Sequence, residues 1–295
     1  MRSVAVAGRW VWGVSGLVTV ALLAVPSFNF ITMNDGQTQG SGPGSLTRTE
    51  TVSEPVTRLT VQSYGAQIQV TGAPVSHVEI IESFGKSGRS APPISATVRD
   101  GQLSVGSPAC VTWENCNSFV VMVPRDVTVT VASQGGAVTI SGVAAVSGDS
   151  GGSSMELSGI NGPVNVTTDG GPLQITNATG PVQADTGGGS LNAAAITAAT
   201  ANITTDGGPA QLAGSVGRLL VQTGGGSADI ALSAMPDTVT IGSDDGPASL
   251  TVPGGPYAIT TESDGGPQSV AIPSTPTAAR SITVTTGGGS LQIQP

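Results

Sequence analysis

The chain has 295 residues and a net charge of −9, with 10% charged and 3% aromatic residues, 43 Gly and 20 Pro. The charge is lopsided: residues 131–295 hold two basic residues, Arg218 and Arg280, against 11 acidic ones, whereas residues 1–130 hold eight of each. A Lys-poor acidic stretch excludes nucleic-acid binding, which needs Lys and Arg to neutralise phosphates, and the strict order of the apolar positions excludes a disordered chain.

Arg2 and Arg9 precede an apolar run from Trp10 to Phe28, with no further Lys or Arg until Arg48. At ~1.5 Å per residue a helix over this run reaches roughly 28 Å, close to the ~30 Å hydrocarbon core of a bilayer. The basic flank predicts an N-in, C-out orientation. Residues 1–9 therefore read as a short cytoplasmic N-terminus and 10–30 as a transmembrane anchor at the cell membrane. A cleaved signal peptide is the alternative, although Ala24-Val25-Pro26 spoils the small-x-small cleavage site. Either way the rest of the chain is exported. Residues 31–49, rich in Gly, Ser, Thr and Gln, read as a flexible linker.

From Arg58 the chain alternates apolar and polar residues in LTVQSYGAQIQV, HVEIIES, ISATVRD, GQLSV, FVVMVP and VTVTVAS, which are strand signatures. This segment, 50–132, is less regular than the C-terminal half of the chain and reads as an irregular β cap for a repeat array. Cys110 and Cys116, the only cysteines, are separated by VTWEN. In an oxidising compartment so close a pair is expected to form a local disulfide. A metal site would need further ligands, and the sole His, His77, reads as an ordinary strand residue.

Residues 133–295 repeat one phrase nine times, at ~18 to 20 residues: SQGGAVTI, SGGSSMEL, TDGGPLQI, TGGGSLNA, TDGGPAQL, TGGGSADI, SDDGPASL, SDGGPQSV and TGGGSLQI. Each copy predicts a strand, a Gly-rich bend and a second strand, as in VNVTT (164–168), DGGP and LQIT (173–176). The fold class expected is all-β: a β-solenoid of stacked coils with two short strands each, preceded by the transmembrane helix. The residue before each bend is always Ser or Thr, and at the ~4.8 Å strand spacing these hydroxyls are expected to bond along the stack. Glycine in the bends is expected to supply positive φ, and Pro172, Pro209, Pro247 and Pro267 to restart strands where an N–H is dispensable. Apolar pairs such as Val138 and Ile140, Leu173 and Ile175, and Leu291 and Ile293 fall on one face as core rows.

The next column alternates: Gly151, Asp169, Gly187, Asp206, Gly224, then Asp244, Asp264 and Gly287. Spacing like charges on every second coil, about 10 Å apart, limits their repulsion. Asp169, Asp206, Asp244 and Asp264 are accordingly a candidate cation-contact edge. No catalytic, cofactor or closed metal site is expected. The bends lack the helix start and Lys of nucleotide loops, and the period does not match calcium-binding β-rolls. Lyase or glycosidase carboxylates on a β-helix remain the enzymatic alternative.

The recurring strand, [ST]-x-G-G-[PS] bend and strand, together with LTVQSYGAQIQVTG, GQLSV, the Cys pair and FVVMVPRDVTV, resembles the "putative-adhesin" family of bacterial β-strand repeat proteins, over roughly residues 50–295. The resemblance implies a β-solenoid displayed outside the membrane and brings no catalytic residues. The function expected is that of a non-enzymatic cell-envelope protein, adhesin-like or structural, whose partners are the membrane and a cell-surface protein or glycan. A secreted glycan- or cation-binding module is the alternative. The array ends at SLQIQP with no polar cap, so the edge at Leu291–Gln294 is expected to be covered by the fold's own loops or a partner copy.

Overall fold

The computed structural model describes residues 38–39, 46–84, 94–107 and 118–295. The chain divides into two units, Met1–Phe30 and Ile31–Pro295, and every described residue belongs to the second. The anchor expected over 10–30, most of the linker, and Cys110 with Cys116 lie outside the described residues. Among the described residues no helix is long and apolar enough to cross a membrane. The regular structure described is all-β, in 24 strands.

Most strands fall into two parallel ladders. The first runs β7 (Gln102–Gly106), β3 (Arg58–Ser63), β9 (Thr128–Ser133), β11 (Ala145–Ser150), β13 (Val164–Thr168) and β15 (Val182–Thr186). It continues through the C-terminal halves of β16 (Leu191–Thr205) and β17 (Ala210–Thr223) to β19 (Thr238–Ser243), β23 (Ser281–Thr286) and β21 (Ala258–Ser263). The second ladder runs β8 (Ser118–Pro124), β4 (Gln67–Ala73), β10 (Val138–Ser141), β12 (Met155–Ser158) and β14 (Leu173–Thr176). The N-terminal halves of β16 and β17 carry it on to β18 (Ala228–Leu232), β20 (Ala248–Thr251), β24 (Leu291–Gln294) and β22 (Gln268–Val270). One strand of each ladder, joined by a bend, makes a layer.

Alternation decides which side chains face inward. In β13 and β14 the residues Val164, Val166, Leu173 and Ile175 are all buried, while Asn165 and Gln174 between them are exposed. A third buried row, including Val143, Ile160, Ala178, Ile196 and Val216, fills the turn after the second strand. Each layer is thus too thin to hold a core alone, and its apolar rows are closed by the layers above and below.

At both ends the layers do not follow chain order. The layer β7–β8 lies outside β3–β4, so the chain lays down its second layer first in the stack and returns to β9 on the other side of β3. At the far end β23 pairs with both β19 and β21, and β24 with both β20 and β22. The C-terminal layer is therefore inserted between the two layers that precede it in sequence. Leu291–Gln294 is not an edge: the chain's own strands cover it on both sides, and β22 is the edge instead. The outer sides of β7 and β8 carry antiparallel strands, β6 (Ser95–Arg99) on β7 and β5 (Val78–Phe84) on β8. Then β2 (Leu46–Val52) pairs with β5, and β1 (Thr38–Gln39) with β2.

Candidate functional site

The bends form one corner of the stack, and their columns are aligned by the ladder. Ser63, Ser133, Ser150, Thr168, Thr186, Thr205, Thr223, Ser243, Thr286 and Ser263 are successive register partners. SYGAQIQV at Ser63 is therefore a further copy of the bend, whose signal was the same hydroxyl and the same apolar spacing. The hydroxyls do not bond along the stack as expected. Each donates within its own bend to the carbonyl three residues on, as in Thr186 to Gly189 O (2.7 Å), Thr205 to Gly208 O (2.6 Å) and Thr223 to Gly226 O (2.8 Å). Along the stack the described exceptions are Ser107 to Ser63 (3.2 Å) and Ser243 to Gly226 O (3.3 Å). A buried hydroxyl satisfies itself at the nearest acceptor, and the bend supplies one in every layer.

Glycine in the regular bends also has a different cause from the one expected. Positive φ occurs at Gly65, Gly135 and Gly152 in the first bends, but at no bend glycine from Gly170 onward. The requirement there is close approach. A Cβ on Gly208 would meet Gly189 O at 1.9 Å, one on Gly226 would meet Gly208 O at 2.0 Å, and one on Gly246 would meet Gly226 O at 2.0 Å. The column continues in stack order, Gly289 against Gly246 O and then Gly266 against Gly289 O, which traces the inserted layer a second time.

Close approach also requires glycine in the column after the hydroxyl from Gly187 onward, though not at Gly151, where the nearest atom to a Cβ lies 3.7 Å away. A Cβ on Gly187 would meet Asp169 O at 2.7 Å, on Gly224 would meet Asp206 O at 1.9 Å, and on Gly287 would meet Asp244 O at 1.8 Å. In stack order the Asp of this column stand on alternate layers, but the charges of the corner as a whole do not. Asp149 and Asp185, just before the hydroxyl column, occupy layers that lack an Asp just after it. Four successive layers thus present Asp149, Asp169, Asp185 and Asp206 as a zigzag ridge. Asp244 and Asp264 sit in layers separated by the inserted one, with Gly287 between them. Sequence alignment of the column after the hydroxyl could not find Asp149 and Asp185, because strand register brings them to the ridge from the other side of the bend.

Crowding on the ridge has an electrostatic cost. Partial burial of its carboxyl, then the charges of Asp206 and Asp169, raise Asp185 above the ordinary carboxylate range, and burial followed by Asp169 does the same to Asp149. A group with a raised folded value binds its proton more tightly folded than unfolded, so stability falls as pH rises from near 3.8 through that raised value. Asp185→Asn should therefore raise the melting temperature at pH 7, and the gain should vanish at pH 3, where the Asp185 carboxyl is itself neutral. An equal difference at the two pH values would remove the ridge as its cause. Among the described residues no group of three or more His, Cys, Asp or Glu is arranged to hold a metal ion.

The outer faces of the layers are polar and regular. Thr130, Ser147, Asn165, Gln183 and Asn202 are successive register partners on the first ladder, with Thr130 Oγ1 and Ser147 Oγ 3.1 Å apart. On the second, Gln174, Asn192 and Gln211 stack as an amide row. His77 is an exposed residue immediately before β5. Sequence reading missed Glu82, which is buried on β5 and accepts the Ile94 N–H at 3.2 Å.

These features define a class, an all-β protein of two parallel ladders with buried apolar rows, a glycine-lined corner and polar outer faces. No family model matches the chain, and no curated protein matches it. Solved structures similar to it include a "putative adhesin" from Parabacteroides merdae (16% identity, TM-score 0.42, covering 85% of this chain and 96% of that one). Another "putative adhesin", from Parabacteroides distasonis, has 12% identity and a TM-score of 0.42, covering 85% of this chain and 98% of that one. A "putative lipid binding protein" from the same species has 14% identity and a TM-score of 0.43, covering 85% and 97%. Two of the three carry the name raised by the sequence resemblance. Likeness at this level transfers no function, so the functional reading rests on the chain's own residues.

Proposed function

We propose that this chain is a non-enzymatic cell-envelope protein. In this reading its two ladders are the faces of a β-solenoid, held outside the membrane by an anchor over 10–30 and a linker over 31–49. The antiparallel strands within 50–132 cap the solenoid, and export allows Cys110 and Cys116 to form a disulfide. The observation that supports it most is the in-register polar surface, Thr130 through Asn202, over rows of buried Val, Ile and Leu. A surface of repeated hydroxyls and amides suits extended contact with a cell-surface protein or glycan.

Expression of the full chain in a bacterial host tests the placement. The protein should fractionate with membranes, keep residues 1–30 by intact mass, and be cut by protease added outside the cell. Loss of about 27 N-terminal residues on export would leave the secreted binding module as the reading. Recovery of the uncut chain from the cytoplasm would remove both.

A further inference from the structure

We propose that Asn161 and Gly162 are a self-modifying site, at which the folded chain converts Asn161 to aspartate and isoaspartate with water as the co-reactant. Asn161–Gly162 is the one Asn-Gly pair in the sequence. It lies in the turn between β12 and β13, where the chain passes from one ladder to the other. Asn161 is exposed, and its side-chain amide makes no hydrogen bond among the described residues. Glycine as the following residue has no Cβ to shield its own backbone nitrogen.

The neighbouring layer shows what this turn lacks. There the equivalent residues are Thr179 and Gly180, and the Gly180 N–H donates to Thr197 O at 3.0 Å. The same step between layers would carry the Gly162 N–H to Thr179 O, and among the described residues that bond is not formed. The turn is held on either side of this group instead: the Asn161 N–H donates to Val143 O at 3.2 Å, and Ile160 O accepts from the Thr179 N–H at 2.8 Å. An undonated backbone N–H beside an unbonded carboxamide is the reacting pair of deamidation. Loss of the Gly162 amide proton to hydroxide leaves its nitrogen free to attack Cγ of Asn161. The N–Cγ bond forms, the bond from Cγ to the side-chain nitrogen breaks, and that nitrogen leaves as ammonia with a proton from water. Water then opens the five-membered imide at either carbonyl. Opening at Cγ gives aspartate; opening at the Asn161 carbonyl carbon leaves the main chain running through Cβ, as isoaspartate. The net reaction takes up one water and releases one ammonia, and nothing is oxidised or reduced.

Packing gives the modification its consequence. Isoaspartate adds one main-chain atom to a turn that has no room for it. Gly162 lies so near the layer before it that a Cβ there would meet Ala144 O at 2.4 Å, and a Cβ on Gly180 would meet Gly162 C at 2.7 Å. Ile160, two residues before Gly162, is fully buried in the third core row. The longer turn must press on both neighbouring layers or draw Ile160 out of the core, because a close-packed interior has no slack to absorb it. Modification at one exposed turn therefore loosens the stack on both sides. This inference goes beyond the envelope reading and does not depend on the anchor.

Prolonged incubation of the full chain in detergent should yield a species heavier by about 1 Da in intact mass, and faster at pH 9 than at pH 7. Peptide mapping should place the change at Asn161, and enzymatic methylation should label isoaspartate there. Asn161→Gln, whose longer side chain would have to close a larger ring, should stay unmodified at this position. Hydrogen exchange over 159–164 and 177–182 should quicken several-fold in the modified fraction. In Asn161→Asp, which carries the new charge without the longer main chain, it should stay near that of the unmodified protein. Reaction confined to the chain unfolded in urea would overturn the proposal, as would a heavier species that maps to another Asn. So would a modified fraction whose exchange matches that of Asn161→Asp.

Discussion

Gly208→Val should destabilise the protein by roughly 3 kcal/mol or more, while Gly207→Ala beside it should cost nothing. The contrast follows from position in the bend alone. A Cβ at Gly208 would lie 1.9 Å from the backbone oxygen of Gly189, and that oxygen cannot move without parting two layers. Gly189 O also accepts from the Thr186 hydroxyl of its own bend at 2.7 Å, so relief by rotation would leave a buried hydroxyl without its acceptor. At Gly207 nothing lies within 4 Å and φ is not positive, so alanine fits, and its stiffer unfolded chain favours folding slightly. Urea titration of the two variants checks the pair. Equal midpoints would show that the layers approach less closely at this corner than the backbone indicates.

Ending the chain at Arg280 should cost two layers, not one. In a simple array, removing the last fifteen residues, Ser281–Pro295, would expose a single new edge. Here those residues form the inserted layer, and β21 and β22 are paired through β23 and β24 alone. The truncated chain leaves Ala258–Val270 with no ladder partner. It could recover one only by settling on β19 and β20, which would press Thr261 and Gln268 against rows built for Val284 and Leu291. Hydrogen exchange read by mass spectrometry should show peptides over 258–270 speeding up by roughly three orders of magnitude, toward unfolded rates, while β13 to β15 keep their protection. Retained protection over 258–270 would mean that adjacent layers are interchangeable and that the insertion contributes little.

The regular part of the fold was legible because its signals are local. VNVTT, LQIT and VQADT are strands at the bounds read from alternation and bend residues. The apolar pairs, Val138 and Ile140 through Leu291 and Ile293, are buried as the period of two requires. The ridge was half legible. Asp169 and Asp206 stand in one sequence column, but Asp149 and Asp185 reach the same corner from the opposite side of the bend, and only the register of β11, β13 and β15 brings them together. The purpose of the glycines was misread for a similar reason. A sequence shows that a Cβ is absent, and it does not show whether torsion or a neighbouring carbonyl forbids it.

The sequence by itself determined that this chain repeats a strand, a hydroxyl-led glycine bend and a strand, and that matching positions meet: near-identical units bury their edges only against one another. It could not determine which unit meets which at the ends. Every layer offers the same hydroxyl, the same glycine and the same apolar pair, so local pattern is satisfied by any neighbour. The tertiary structure decided it, placing β23–β24 between β19–β20 and β21–β22 and setting β7–β8 outside β3–β4. The choice rests on contacts between residues far apart in the chain: Val284 and Leu291 fill an enclosed layer, and Thr261 and Gln268 tolerate an open one.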